Sequence, residues 1–158
     1  MTVFNPLFKY FKVGLKVGII GCGGLGHLAI QYASKMGAEV TAFSGTPEKS
    51  EWLKKLGANF IESSTDLVSL AKQFQQFDII LSTLPTYKPE LFKAYLRIVK
   101  KQGIFAVVGI PDINENTAPI EFFTLVANEI TIVGSIIASV DVIPINITDH
   151  KKNAGVLN

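Results

Sequence analysis

The amino-acid sequence predicts an α/β protein built on a doubly wound parallel sheet of six strands. Three observations predict this class: six short apolar runs, helical patterns between them, and a glycine cluster after the first run. Apolar runs without polar alternation are typical of strands that are covered on both faces. Strands that alternate with helices specify a parallel sheet with right-handed crossovers. We therefore expect helices on both faces of the sheet.

The predicted strands are apolar runs bounded by glycine or polar residues. They are residues 16–21, 39–43, 59–61, 78–83, 103–109 and 130–135. Between the first two strands, apolar residues recur at helical spacing and predict a helix that Gly37 ends. This apolar stripe consists of Leu25, Leu28, Ala29, Tyr32, Ala33 and Met36.

Two more helices are predicted further along the chain. Thr46 followed by Pro47 is typical of an N-cap and a first-turn proline, and Gly57 ends this second helix. A third helical pattern covers residues 91–99 and precedes the fifth strand. We assign residues 1–138 to one domain. The tail, residues 139–158, has neither helical periodicity nor strand boundaries, so we assign it no structure.

The composition argues against several functional classes. The 158 residues, 48% of them hydrophobic, suit one globular domain, and the net charge of +2 with scattered basic residues argues against a nucleic-acid partner. The most apolar segment, 130–147, contains Asp141, Pro144 and Asn146, so we expect no membrane span. No secretory leader is evident, and the single cysteine, Cys22, suits a reducing compartment, so we expect a cytoplasmic protein.

The glycine cluster is the strongest functional motif. Gly21, Gly23 and Gly26 match G-x-G-x-x-G between a predicted strand and a predicted helix, the context that this dinucleotide-binding motif of the Rossmann fold requires. We expect Gly21 to allow the tight turn, Gly23 the approach of a pyrophosphate, and Gly26 close helix packing. Gly24 and Leu25 complete the loop that we assign to the cofactor. The alternative is a tight turn that binds no ligand.

The end of the second strand favours NADP over NAD. An NAD-binding domain carries Asp or Glu about 20 residues beyond the loop, for the ribose 2′-hydroxyl, and Ser44 stands there instead. Ser44 and Thr46 offer hydroxyl groups and Lys49 a positive charge to a 2′-phosphate. Glu48 is a small electrostatic argument against this, and Thr46 also suits a plain N-cap.

Several segments together resemble the coenzyme-binding domain of zinc-dependent medium-chain alcohol dehydrogenases. Within that family, the sequence is most similar to the NADP-dependent cinnamyl alcohol dehydrogenase branch, and the resemblance covers most of residues 2–138. The segments that carry it are residues 2–7, 16–49, 56–59, 78–84 and 103–111. The resemblance implies that Thr2, Gly109, Ser135 and Ile136 lie near the nicotinamide, and that Thr83 lines the cleft near the adenosine ribose.

This sequence lacks the ligand residues that the zinc sites of that family require. The resemblance implies a catalytic zinc and a four-cysteine structural zinc, whereas the sequence has Cys22, His27 and His150 as its only cysteine and histidines. We therefore assign no catalytic residue and no metal ligand. In the family, the zinc ligands lie mainly in a preceding catalytic domain. We expect the chain to be a natural truncation or a fragment, which is inactive alone.

Two functional hypotheses remain open. The first is an NADP(H)-binding domain of an alcohol or aldehyde oxidoreductase, whose substrate pocket and zinc lie on other sequence. The second is a stand-alone nucleotide-binding or regulatory module without catalysis. An S-adenosylmethionine methyltransferase is disfavoured, because its second strand normally ends in an acid, where this chain has Ser44.

The resemblance also implies a homodimer through residues 130–135. This segment is apolar and β-branched, and an exposed edge strand of that kind needs a partner. The alternative is that residues 140–147 fold back over the same edge, although Pro144 makes that segment a poor strand.

Overall fold

Each of the six predicted strands is present in the computed structural model, which describes residues 2–115 and 117–136. Neighbouring strands are all parallel. The strands are β1 (Lys16–Ile20), β2 (Glu39–Ser44), β3 (Phe60–Ser63), β4 (Phe77–Ser82), β5 (Val99–Val107) and β6 (Thr131–Gly134). Their order in the sheet is β3-β2-β1-β4-β5-β6. The predicted doubly wound, six-stranded parallel sheet is confirmed.

Helices cover both faces of this sheet. They are α1 (Phe4–Tyr10), α2 (Gly26–Lys35), α3 (Ser50–Lys55), α4 (Leu67–Lys72), α5 (Pro89–Arg97) and α6 (Phe122–Ala127), with short 3₁₀ helices at Pro47–Lys49 and Ile113–Glu115. One core cluster contains buried residues of α1, α2 and α3, among them Leu7, Ile30 and Leu53. The other contains Leu70 of α4 and Phe92 of α5. The central strands β1, β2 and β4 are therefore buried between two layers, which explains their unbroken apolar runs.

The main differences from the sequence-based expectations lie in short or bulged elements. Strand β5 begins at Val99 instead of residue 103, and its pairing with β4 shifts register between Phe77 and Ile79. The polar segment around Gln102, whose φ of 62° is left-handed, bulges out of that strand. Val99, predicted as helical, is therefore part of a strand. Helices α1, α4 and α6 were not predicted, because six or seven residues give too few turns for a clear periodicity.

Two predictions depend on the remaining part of the chain. The domain boundary at residue 138 and the tail 139–158 lie outside the described residues. Among the residues that the structure describes, none of the helices has the length and apolar character needed to cross a membrane.

Candidate cofactor-binding site

The site lies where the chain order of the sheet reverses, between β1 and β4. From β1 the chain proceeds outward to β2 and β3, and from β4 outward to β5 and β6. In doubly wound sheets this point opens a crevice at the carboxyl ends of the strands, where ligands bind. Thr83 follows β4 there. Its N–H donates to the Ile20 carbonyl oxygen at 2.9 Å, and its Oγ1 donates to the Gly21 carbonyl oxygen at 2.7 Å.

Two of the four loop glycines are required by contacts inside the protein. Gly21 has a φ of +85°, and a Cβ there would lie 2.7 Å from Thr83 Oγ1. A Cβ on Gly26 would overlap the Gly21 carbonyl oxygen, so that the start of α2 packs directly on the turn. A β carbon on Gly23 or Gly24, by contrast, would meet no heavy atom within 4 Å. The open side of the loop is therefore the side at Gly23 and Gly24.

The same loop offers backbone donors to an anion. Among residues 2–115 and 117–136, the backbone N–H groups from Cys22 to Gly26 make no hydrogen bond to protein atoms, and the first helical bond of α2 is from His27 N to Gly23 O. Free N–H groups and the helix dipole both favour a negative charge at such a terminus. Leu25 stands at the N-cap position and is about one-third exposed. The loop therefore fits a phosphate group.

The three residues predicted to meet a 2′-phosphate occupy one turn after β2, in different environments. Ser44 is buried, and its Oγ accepts the Thr46 N–H at 3.1 Å and donates to the Thr46 carbonyl oxygen at 3.2 Å. Thr46 takes the N-cap position of the 3₁₀ helix, but its side chain makes no capping hydrogen bond. The side chains of Thr46 and Lys49 are exposed, as is Glu48. Ser44 therefore shapes the turn, and Thr46 and Lys49 face solvent.

Cys22 lies beside this turn, inside the glycine loop. Its Sγ donates to the Phe43 carbonyl oxygen at 3.5 Å, and burial raises the pKa of the thiol to about 11, an increase that the charge of Lys49 reduces only in part. The raised pKa keeps the thiol protonated, and a protonated thiol is a poor metal ligand because zinc binds the thiolate.

The residues that the resemblance places near the nicotinamide lie at the carboxyl ends of β5 and β6. Ser135 N donates to the Val107 carbonyl oxygen at 2.9 Å, and Ser135 Oγ donates to the Thr2 carbonyl oxygen at 3.3 Å. The two ends of the described chain are thus joined beside the crevice. Gly109 follows β5, and a Cβ there would overlap the backbone of Leu84. Ile136 is exposed.

A small apolar cavity beside Gly109 was not predicted from the sequence. It is lined mainly by Pro85, Tyr87, Phe92 and Val107. Tyr87 Oη donates to Ser82 Oγ at 2.8 Å, and burial raises the pKa of this tyrosine, so that it remains a donor. Tyr87 follows no apolar periodicity in the sequence, so only the fold reveals that it faces the end of β4.

Metal coordination has no candidate in the described part of the chain. Residues 2–115 and 117–136 contain no group of three or more His, Cys, Asp or Glu side chains placed to hold a metal ion. His27 lies on the first turn of α2, and His150 lies outside the described residues. These residues therefore do not fit a zinc site.

Comparison with known proteins gives consistent matches over most of the chain. A family model described as zinc-binding dehydrogenase matches residues 24–149. The aldehyde reductase YahK of Escherichia coli (strain K12) is 34% identical over 142 residues, which are 89% of this chain and 39% of that protein. The chain thus spans about two fifths of the length of this relative.

Solved structures share the fold. A cinnamyl alcohol dehydrogenase of Sorghum bicolor matches with a TM-score of 0.80 and 28% identity, over 89% of this chain and 39% of the other. The CAD protein of Helicobacter pylori, complexed with NADP(H), has a TM-score of 0.76 and 30% identity over 96% and 42%. An acetophenone reductase of Geotrichum candidum, in complex with NAD, has a TM-score of 0.76 and 25% identity over 99% and 43%.

Proposed function

Since the chain belongs to the zinc-binding dehydrogenase family and contains its NAD(P)-binding domain, we propose that it binds NADPH for an alcohol or aldehyde oxidoreductase. The family model and a relative named as a probable cinnamyl alcohol dehydrogenase confirm the resemblance to zinc-dependent alcohol dehydrogenases, including the cinnamyl alcohol dehydrogenase branch. The observation that carries the proposal is the glycine loop, in which Gly21 and Gly26 are required by protein contacts while Gly23 and Gly24 face open space. Bound NADPH supplies a hydride for carbonyl reduction.

The preference for NADPH over NADH is supported by the turn after β2. The last residue of β2 is Ser44, so no carboxylate stands at the strand's end to accept the ribose 2′-hydroxyl or repel a 2′-phosphate. Thr46 and Lys49 are exposed on the same turn and offer a hydroxyl and a positive charge. The similar solved structures do not discriminate between the two cofactors. The Helicobacter pylori protein is complexed with NADP(H), whereas the Geotrichum candidum reductase is complexed with NAD.

Calorimetric titration with NADPH and NADH tests this proposal. Each charge-assisted bond to the 2′-phosphate is worth about 1.5–3 kcal/mol, so we expect NADPH to bind roughly tenfold more tightly or better. Ser44→Asp should reverse the order, since the carboxylate would repel the phosphate and accept the 2′-hydroxyl. Equal affinities, or tighter NADH binding by the unchanged protein, would reject the preference.

We propose that Gly109, Ser135, Ile136 and Thr2 lie near the nicotinamide, and that Thr83 lines the cleft near the adenosine ribose. Their placement at the carboxyl ends of β4, β5 and β6 supports this, since ligands of doubly wound sheets bind along that edge. Contact of Leu84 with Gly109 gives a second, purely structural reason for that glycine.

We propose that residues 1–158 have no alcohol dehydrogenase activity by themselves. The described residues contain no group of three or more His, Cys, Asp or Glu side chains that could hold a metal ion, and one cysteine and two histidines in the sequence are too few for the two zinc sites of the resembled family. Metal analysis of the purified chain should find no stoichiometric zinc, and turnover of cinnamyl alcohol should stay at background. One tightly held zinc per chain would show that other residues coordinate it. Cytoplasmic location remains a proposal from composition alone.

We further propose that two copies pair through β6. Among the described residues β6 is the last strand of the sheet, and its free side is an unpaired edge. Two-fold pairing would satisfy these backbone groups. Light scattering should give twice 17.2 kDa, and Val133→Lys should return the mass to the monomer value. A monomer at micromolar concentration would reject the pairing and favour the alternative, in which residues 140–147 cover the same edge.

A further inference from the structure

We propose that the side chain of His27 holds the Gly23–Gly24 peptide in the orientation that presents an N–H group to the cofactor phosphates. The proposal rests on the function proposed above and assigns His27 a positioning role. It starts from a contact inside the loop. The Gly23 carbonyl oxygen accepts two hydrogen bonds from one residue, from His27 N at 3.1 Å and from His27 Nδ1 at 3.1 Å.

These two donors fix the direction of the Gly23 carbonyl group. Because a carbonyl oxygen only accepts hydrogen bonds, Nδ1 carries the proton in this contact. The backbone donor is an ordinary helical N–H four residues along the chain, so the carbonyl points along α2 towards the carboxyl end of the helix. The imidazole contributes a second donor from the same side.

The direction of that carbonyl determines where the next N–H points. A planar trans peptide places its C=O and its N–H on opposite sides, and the described residues contain no cis peptide bond. The N–H of Gly24 therefore points out of the amino-terminal end of α2. It makes no hydrogen bond to protein atoms within the described residues. An anion in front of the helix would meet this group.

No steric contact restrains this peptide, so its orientation depends on the hydrogen bonds that the Gly23 carbonyl group accepts. Both flanking residues are glycines, and a Cβ on either would meet no atom within 4 Å. Glycine populates positive and negative φ almost equally well, so this peptide can turn over at little steric cost. A turned peptide would aim the Gly23 carbonyl oxygen at the phosphates and repel them. Gly21 and Gly26, in contrast, are held by contacts with Thr83 and with each other.

The imidazole itself is held by the neighbouring helix. The rings of His27 and Trp52 have centroids 5.9 Å apart at an interplanar angle of 32°. Trp52 lies on α3, which follows the turn that carries Thr46 and Lys49. The ring of His27 thus has two separable features: a hydrogen-bond donor to the loop and a flat surface against Trp52.

Two variants separate these features. His27→Phe keeps a ring against Trp52 and removes the donor, whereas His27→Asn keeps an N–H donor close to the position of Nδ1 and removes the ring. Gln31→Ala is the control, because Gln31 Nε2 donates to the His27 carbonyl oxygen on the same helix at 3.3 Å without touching the loop. Urea unfolding of all variants shows whether the fold is intact.

Calorimetric titration with NADPH gives the first readout. One hydrogen bond is lost in His27→Phe, so its dissociation constant should rise about threefold to tenfold, while His27→Asn and Gln31→Ala should stay close to the unchanged protein. The reverse order, with His27→Phe unaffected and His27→Asn weakened, would assign His27 a packing role and overturn the proposal.

A second readout needs no cofactor. In the free protein the Gly24 amide should give one sharp NMR resonance, which in His27→Phe should broaden or shift as the peptide turns over, while the Gly26 amide should be unaffected. An unchanged Gly24 resonance in His27→Phe would overturn the proposal whatever the binding data. Failure of the unchanged protein to bind either dinucleotide would instead reject the proposed function, and the NMR comparison would still decide the role of His27.

Discussion

The two ends of the parallel sheet use their polar groups in opposite ways. At the carboxyl edge, where β1 and β4 end, the loop from Cys22 to Gly26 leaves its N–H groups without protein acceptors among the described residues. At the amino edge, where the same strands begin, Asp78 accepts the Lys16 N–H at 2.8 Å and pairs with Lys100 Nζ at 3.0 Å. The carboxyl edge therefore leaves backbone donors available to a ligand, whereas the donors at the amino edge are bonded within the protein.

The amino edge is closed by a second group of polar contacts beside β5 and β6. Gln102 N donates to the Asn128 carbonyl oxygen at 2.8 Å, and Gln75 Nε2 donates to Asn128 Oδ1 at 2.6 Å. Gln75, Gln102 and Glu129 all adopt left-handed φ values, a conformation that costs energy outside glycine. Side-chain hydrogen bonds offset this cost here. At the carboxyl edge, within the described part of the chain, the left-handed position is taken by Gly21, which adopts this conformation without that cost, and the loop remains open.

The largest expected difference lies inside the glycine loop. Gly26→Ala should lower the free energy of unfolding by about 3 kcal/mol, because its methyl group would overlap the Gly21 carbonyl oxygen, a backbone atom. Gly23→Ala should leave the free energy of unfolding within about 0.5 kcal/mol of the unchanged protein. It should still weaken NADPH binding, since its methyl group enters the open side of the loop. Urea unfolding and calorimetry measure the two effects; equal destabilisation by both changes would contradict the division.

At the amino edge, Asp78→Ala should destabilise the fold without affecting the cofactor. The carboxylate loses its bonds to two donor groups, the Lys16 N–H and Lys100 Nζ, each group worth about 1 kcal/mol net, so the free energy of unfolding should fall by about 2 kcal/mol. Asp78→Asn, which retains an acceptor for the Lys16 N–H, should lose about half of this. The affinity for NADPH should not change in either variant. A matching loss of affinity would mean that the two edges are coupled.

Much of this division was predictable from the sequence. Glycine and apolar residues have local consequences, so G-x-G-x-x-G after an apolar run predicted the turn, the helix and the open side of the loop. The pairing of Asp78 with Lys100 was not predictable, because the residues belong to adjacent strands separated by a helix, and only the register of β4 and β5 brings them together.

The candidate site shows the same limit. Ser44 was predicted as a site residue from its sequence separation from the glycine loop. Its hydroxyl group instead hydrogen-bonds the backbone of Thr46, and this contact depends on the backbone conformation of the turn after β2. The structural reason for Gly109 is contact with Leu84, a residue that follows a different strand. Tyr87, which donates a hydrogen bond to Ser82, belongs to no periodic pattern in the sequence. Sequence spacing therefore located the strands' ends, whereas contacts between loops required the fold.

A smaller effect is expected for Lys49, an exposed lysine near the carboxyl edge. Lys49→Ala should weaken NADPH binding by about 1.5 kcal/mol, roughly tenfold, and leave NADH binding unchanged, because Lys49 is exposed and its charge-assisted bond to the 2′-phosphate lies at the weak end of the range for such bonds. Lys55→Ala is the matched control, since Lys55 is an exposed lysine at the other end of the six-residue helix α3, away from the turn after β2. Parallel titrations with both cofactors measure this. Equal losses for both lysines would indicate a general charge effect instead of a 2′-phosphate contact.

The smallest effect concerns Glu121, whose side chain connects α5 to the start of α6. Its carboxylate contacts Lys93 Nζ at 2.8 Å and Arg97 at 3.1 Å and accepts the Thr124 hydroxyl, and hydrogen bonds from Lys93 and Thr124 lower its pKa from 4.5 to about 2. A depressed pKa means that the folded state favours the carboxylate, so this stabilisation is complete above about pH 4.5 and is lost as the pH falls through about 2. Glu121→Gln should therefore lower the urea midpoint slightly near neutral pH, and this difference from the unchanged protein should shrink as the pH falls. High salt should also reduce this difference, because the charged groups are partly exposed. If the difference stayed constant across this pH range, the charge of Glu121 would not be what stabilises the helix pair. The Thr124 contact or local packing would then be responsible.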